Sequence, residues 1–378
     1  MPFELTRMDE WPRHQTGGTF DVVASSSPHW SDGYYFTMGD EAGEVAFFQG
    51  FRLYPNTDVL DAFTCVSTGG RQHNMRWSRR LRPRIDDLVC GAQAVEIVEG
   101  LRTLRITAEP NRHGISYDLT FHGLTPPYNE AYLHDWSDGM LAVERSNFDQ
   151  CCAVQGWLDV RGRRWEVSPQ RWTGVRDHSW GMGRTGGPVA VGVAPTRDAP
   201  RPFGLRQWVV ARFPHRVVFW QFHHSPQGEY TKLETRVLYP YGDGRDPWSY
   251  DSIAHELKFV DGHRRLASGE VVLTCSDGHR DRFALETISD PVYLQGGGYW
   301  AGWDDGLGRG VYRGEAADEG ETWDVSLPTT IGDAGGRVRP RADAWAETWG
   351  RFTNLDDPEE TGTGHLECVI SGPYPGFD

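Results

Sequence analysis

The sequence predicts an all-β protein made of two consecutive antiparallel barrel or sandwich units. Three observations carry that expectation. Apolar residues recur at every second position in successive runs, Gly-, Pro- and Asp-containing turns separate those runs, and no window of a dozen residues keeps helical three- and four-residue spacing without an interrupting Gly or Pro. The 378 residues suffice for two units of roughly 100 to 200 residues each.

A polar lead-in and the Ser25-Ser26-Ser27-Pro28 loop precede the first ordered stretch, Trp30-Ser31-Asp32-Gly33-Tyr34-Tyr35-Phe36. In the next run Val45, Phe47, Gln49, Phe51 and Leu53 share one mainly apolar face, the pattern of a strand. Val95/Ile97 and Leu104/Ile106 repeat it, and Ile115/Tyr117/Leu119/Phe121 shows it most cleanly, with turns at Gly100, Glu109-Pro110-Asn111 and His113-Gly114 between them. Pro126 and Pro127 donate nothing to a ladder, so residues 125–129 are expected to cross between sheets or units. Residues 155–160 and 164–167 flank Arg161-Gly162-Arg163, a hairpin signal. Further on, β-branched and aromatic content predicts strands at 207–213, 215–223, 232–238, 270–274 and 282–287. The expected division falls near residue 160, giving an N-terminal unit 1–160 and a C-terminal unit 161–378.

Composition narrows the function. With 38 Lys+Arg against 53 Asp+Glu the formal net charge is −15, which repels phosphate backbones and anionic lipid surfaces. Nucleic acid is therefore not an expected partner. No run approaches the roughly 18 apolar residues of a membrane span, and residues 1–20 lack the apolar core of a signal peptide. A cytoplasmic protein with reduced thiols is the expectation. Aromatics make up 12%, with 16 Trp, and such rings suit both a core and a cavity for an apolar ligand.

The chemistry-bearing stretch is Val175-Arg176-Asp177-His178-Ser179-Trp180-Gly181, which puts an acid, an imidazole, a hydroxyl and an indole in succession. On a strand, Asp177 and Ser179 face one way and His178 and Trp180 the other. Gly181, Gly183, Gly186 and Gly187 predict a bend just beyond, which would bring both faces to a pocket mouth. A turn-capping Asp and a core Trp are the plain structural alternatives.

Together with Trp30–Phe36 and Gly362-Thr363-Gly364-His365-Leu366-Glu367, the Arg176–Gly181 stretch resembles the hydroxyneurosporene synthase or carotenoid 1,2-hydratase superfamily, AttH-like proteins included, and within it a bacterial branch. The resemblance implies tandem lipocalin-like barrels. It also implies acid-initiated chemistry on an apolar olefin or polycyclic molecule: hydration, cyclisation, isomerisation or elimination.

Such chemistry needs an acid that stays protonated, a nearby base and a wall tolerant of positive charge. A carboxyl in an aromatic pocket has a raised pKa, and Asp177 is the first candidate. His178 is the candidate to receive or return the proton, and Glu367 is a second acid that only folding would bring close. Trp180, Tyr34, Tyr35, Trp208, Trp220, Tyr299 and Trp303 are the candidate substrate-binding rings. His134, Asp135, His178, His215, His223 and His224 match no metal-ligand spacing, and Gly296-Gly297-Gly298 reads as a close turn, not a dinucleotide loop. No metal and no cofactor are expected. Cys151-Cys152 has no visible base beside it. The favoured reading is a cofactor-independent hydratase, cyclase, isomerase or other lyase on a hydrophobic small molecule. The alternative is a lipocalin-like carrier, which needs rings and volume but no acid–histidine pair.

Overall fold

Alternating burial along each strand sorts the chain into two antiparallel sheets, as seen in the computed structural model, which describes residues 7–10, 12–14, 16–137, 139–183, 204–326, 331–333, 338–339 and 345–377. The first sheet begins with β1 (Ser31–Asp40), β2 (Ala46–Tyr54), β3 (Val59–Thr68) and β4 (Arg71–Arg80). It continues through β5 (Val89–Cys90), β6 (Gln93–Glu99), β7 (Thr103–Ala108) and β8 (Ile115–Gly123). The chain then forms β9 (Tyr128–Asn129), β10 (Leu133–Ser137), the 21-residue β11 (Met140–Val160), β12 (Arg163–Val167) and β13 (Trp172–Met182). β13 lies between β1 and β11, so the ends of the meander meet there. The β11–β12 hairpin turns at Arg161 (φ 53°) and Gly162 (φ 86°), the left-handed pair that a two-residue hairpin favours.

The second sheet holds β14 (Gly204–Arg212), β15 (Val217–His224), β16 (Tyr230–Leu238), β17 (Ser252–Phe259), β18 (Leu266–Thr274) and β19 (Arg280–Thr287). A short β20 (Val292–Tyr293) leads into a 3-10 turn at Leu294–Gly297, closed by Gly298 at φ 86°. From there the chain returns to the first sheet, where β21 (Ala316–Glu319) and β22 (Thr322–Asp324) pair with β4. The short strands β23 (Ile331–Asp333) and β24 (Val338–Arg339) extend β22. β25 (Ala346–Asn354) and β26 (Thr361–Ser371) then close the second sheet between β19 and β14. One sheet curls into a half-barrel and the other into a nearly closed barrel, the all-β tandem arrangement the sequence predicts. No helix among the described residues is long and apolar enough to cross a membrane.

Two features differ from the expected layout. β12 and β13, placed in the C-terminal unit by a division at residue 160, hydrogen-bond within the first sheet, and the change of sheet falls between Met182 and Gly204. Residues 316–324 also belong to the first sheet by pairing. Local strand signals carry no information about which sheet a strand joins, because pairing partners lie far away in sequence.

Period-two alternation separates three apolar layers. Phe36, Met38, Phe47, Phe51, Tyr117, Leu119 and Phe121 fill the inside of the first sheet. Leu205, Val209, Trp220, Phe283, Phe352 and Leu366 fill the inside of the second. Between the sheets lies a third layer that includes Tyr35, Phe48, Val175, Trp208, Val210, Phe219 and Trp349.

Candidate functional site

β13 delivers its two titratable side chains to different layers. Asp177 stands opposite Tyr35 in β1 and Asp149 in β11, whereas His178 stands opposite Tyr34 and Phe148. Asp177 and Tyr35 therefore face the second sheet, and His178 and Tyr34 face the inside of the first. The expected bend does not reunite them: β13 stays paired to β11 through Met182, and a Cβ on Gly181 (φ 121°) would meet the Glu144 carbonyl. His178 Nε2 is instead 2.8 Å from Asp32 Oδ1, and its ring packs on those of Tyr34, Phe148 and Trp180 at 4.5, 5.4 and 5.5 Å.

The second sheet meets Asp177 with a polar face of its own. In β14 and β26, Trp208 lies opposite Glu367, which lies opposite Glu347 in β25. The Trp208 ring is 6.5 Å from that of Tyr35 and 4.3 Å from the His365 imidazole, whose Nε2 is 2.8 Å from Glu347 Oε2. Arg206 forms an ion pair with Glu367 and donates through Nε to His223 Nε2 at 3.2 Å. Lys232 Nζ reaches Gln221 at 2.6 Å, Glu234 at 3.0 Å and Glu130 at 3.2 Å. Asp149, Asp177, Glu130, Glu347 and Glu367 are all buried, while Arg206, His223 and Lys232 keep some solvent contact and form the rim.

This crowding sets the protonation states. Burial, then the charges of Glu130 and Asp177 and a contact with Glu130, push the Asp149 carboxyl well above the usual range, only partly offset by the Trp208 indole. Burial also works against ionised Glu130, but Lys232 and the Asp149 contact outweigh it and hold Glu130 below its ordinary value. Tyr35 is pushed up by burial and then by Glu347. Burial and the charges of Arg206 and Lys232 bring His223 down to about 2, so its ring stays neutral. The arrangement is a carboxyl pushed toward its neutral form beside the Glu130 carboxyl held toward its ionised form, roofed by an indole and a phenol. Such a set can give a proton to a bound molecule and take one back.

The structure gathers Asp177, Tyr35, Trp208 and Glu367 of the sequence-predicted set into this inter-sheet layer, with Tyr299 in the same apolar layer, 5.9 Å from Phe63. His178, Tyr34 and Trp180 lie across β13 from it. Trp220 is interior packing of the second sheet, its indole donating to Gln207 Oε1 at 2.7 Å and stacking on Phe283. Trp303 packs under Arg76 and Arg313. Asp149, Glu130 and Lys232 escaped the sequence reading. Asp149 sits in the Phe148-Asp149-Gln150 run where a single acid in an apolar strand was the available signal. Cys151 is buried and its thiol is pushed up to about 12, which keeps it protonated. Among the described residues no cluster has the makings of a metal site.

A family model described as a family of unknown function, DUF8625, matches residues 5–375, and the chain belongs to that family. No protein of curated function matches it in sequence. Its fold is shared with kievitone hydratase from Nectria haematococca, at 11% identity over 92% of this chain and 93% of that one, with a TM-score of 0.51. An AttH-like protein from Nitrosomonas europaea is similar at 10% identity over 90% of this chain and 92% of that one, with a TM-score of 0.52. These are tandem lipocalin-like proteins, so the resemblance drawn from Trp30–Phe36, Arg176–Gly181 and Gly362–Glu367 holds at the level of fold.

Proposed function

We propose that the protein is a cofactor-independent acid–base enzyme, of hydratase, cyclase, isomerase or other lyase type, acting on a hydrophobic small molecule at the layer between the sheets. The observation that carries this reading is the Asp149 carboxyl, buried beside Asp177 and Glu130 and pushed toward its neutral form. Asp149 is assigned the proton donor, kept protonated by burial, Glu130 and Asp177, and Asp177 the carboxylate that receives the returning proton. Tyr35 and Trp208 supply ring faces for a developing cation. The substrate approaches past Arg206, His223 and Lys232, where the layer touches solvent. The shared fold with a hydratase supports the reaction class by analogy.

The test is incubation in D2O with a panel of terpenoid, steroid and aromatic olefins, read by mass spectrometry. Turnover with one deuterium placed on carbon, reduced at least about 100-fold in Asp149→Asn, is the expected result. A panel compound that binds tightly and is recovered unlabelled and unchanged would make the protein a carrier.

A further inference from the structure

On the other face of β13 the chain buries a cation with no anion among the described residues to match it. Arg176 is 2% exposed and points into the first sheet with Tyr34, Phe148 and Gln150 around it. Its Nε donates to Gln150 Oε1 at 2.8 Å, and its guanidinium carbon lies 5.1 Å from the Phe148 ring centre. Nη2 is buried and has no hydrogen-bond partner. No carboxylate of a described residue is within ion-pairing distance of Arg176; the groups that favour its charge are the weakly acidic Cys152, Tyr34 and Tyr241. Arg76, equally buried, shows what the fold does elsewhere: it holds Glu321 at 2.7 Å and Glu319 at 3.1 Å. Burying a guanidinium without an anion is costly, and arginine does not escape by losing its proton.

The surroundings of Arg176 are open on one side. Asp32, Tyr34, Phe148 and His178, which share its face on β1, β11 and β13, are only partly buried, whereas Phe36 and Cys152 beneath are fully so. Arg176 lies two residues deeper than His178, or about 7 Å along the strand. Above it the rings of Tyr34, Phe148 and Trp180 surround the His178 imidazole, and Trp180 is 38% exposed at the outer end. Of the carboxylates at this end of the three strands' inner face among the described residues, Asp32 is taken up by His178 at 2.8 Å and Glu144, beyond Trp180, accepts from the Tyr132 hydroxyl at 2.8 Å.

We propose that this open end of the first sheet, between Tyr34, Phe148, Arg176, His178 and Trp180, is a binding site for an apolar molecule bearing a carboxylate, with Arg176 pairing the carboxylate and the rings holding the body. Rotation of Tyr34 and Phe148, the two half-buried rings over the guanidinium, opens the way to Nη2. The site is separated from the acid layer by β13 itself, so it stands or falls independently of the reaction proposed above.

Calorimetric titration with 1-naphthaleneacetate and its near-isosteric neutral amide, 1-naphthaleneacetamide, tests it. The intact protein is expected to bind the carboxylate about 10- to 100-fold more tightly than the amide, the range of one charge-assisted hydrogen-bonded contact. Arg176→Met is expected to lose that preference and keep the amide affinity, and Trp180→Ala, at an exposed position, to weaken both ligands together. Asp149→Asn is expected to change neither. Equal affinity of the intact protein for the two probes, no binding of either, or a preference that survives Arg176→Met overturns the proposal. So does undiminished binding by Trp180→Ala, which stands as a second variant should Arg176→Met fail to fold.

Discussion

Asp149 and Asp177 occupy directly opposed positions on β11 and β13, and both side chains turn into the buried layer between the sheets. Two carboxylates so placed cannot both ionise cheaply, so one keeps its proton. Glu130 adds a third acid, and Lys232 takes up its charge and leaves Asp149 as the neutral member.

Asparagine at either position separates the roles. Asp149→Asn keeps the shape and neutrality of the protonated acid but has no proton to give, so fold and ligand affinity are expected to persist while turnover falls by about two orders of magnitude or more. Asp177→Asn removes one of the charges that, with burial and Glu130, hold the proton on Asp149. Its turnover is expected to fall and the alkaline limb of the pH profile, where Asp149 gives up its proton, to move to lower pH. Full activity in well-folded Asp149→Asn would take the proton donor out of this layer.

The same residue sets a pH dependence of stability. Its carboxyl is raised in the folded state, so the native protein holds a proton that the unfolded chain releases above about pH 4. The stability contributed is complete below that pH and is lost as pH rises toward the folded-state value. Asp149→Asn has no proton to take up. Its melting temperature relative to wild type is therefore expected to rise between pH 4 and pH 7.5, by about 2 °C or more. A difference that is flat or falls with pH in parallel calorimetric scans would contradict the assignment.

Strand content was legible in the sequence because period-two burial writes itself into residue order: Ile115, Tyr117, Leu119 and Phe121 all lie in the first sheet's interior as their alternation predicts. The opposite orientations of Asp177 and His178 followed from the same rule. What stayed hidden was set by pairing at a distance. That Asp149 would face Asp177 depends on the register of β11 against β13, and that Trp208 would face Tyr35 while Trp220 turned away depends on which side of β14 and β15 meets the first sheet. Rings and acids look alike in sequence whether they face an interior or an interface.

The two sheets approach closely at Gly39. Gly39 in β1 lies under the indole of Trp349 in β25, where a Cβ would come within 2.4 Å of the ring. Trp349 is fully buried in the inter-sheet layer and its backbone N–H is held by Ser289 Oγ at 2.8 Å, so the ring has little freedom to retreat. Gly39→Val is expected to wedge the sheets apart and cost about 1–3 kcal/mol or more in urea unfolding. Trp349→Ala in the same background is expected to recover part of that cost, and a fully additive pair would argue against the contact.

A last prediction concerns residues 293–325, which return from the second sheet to cover β4. Gln72 exchanges hydrogen bonds with the Tyr293 backbone at 2.7 and 2.9 Å, and Asn74 Nδ2 donates to Glu321 Oε1 at 3.0 Å. Beside them Arg76 donates through both terminal nitrogens to Glu321 at 2.7 Å, to Glu319 at 3.1 Å and to the Gly296 carbonyl at 2.8 Å. The guanidinium has no exposed side-chain surface, so its desolvation is complete and is offset by these acceptors and the Trp303 ring beneath it. Glu321→Gln leaves the buried charge with a weaker set and is expected to cost about 3–5 kcal/mol, the scale of breaking a buried pair. Replacing both partners, Arg76→Met with Glu321→Met, removes the unpaired charge and is expected to recover most of that loss. Urea unfolding gives the size of each effect, and amide exchange across 316–324 gives its place. A Glu321→Gln protein as stable as wild type, with protection of 316–324 unchanged, would mean that backbone pairing of β21 and β22 to β4 holds this segment without the ion pair.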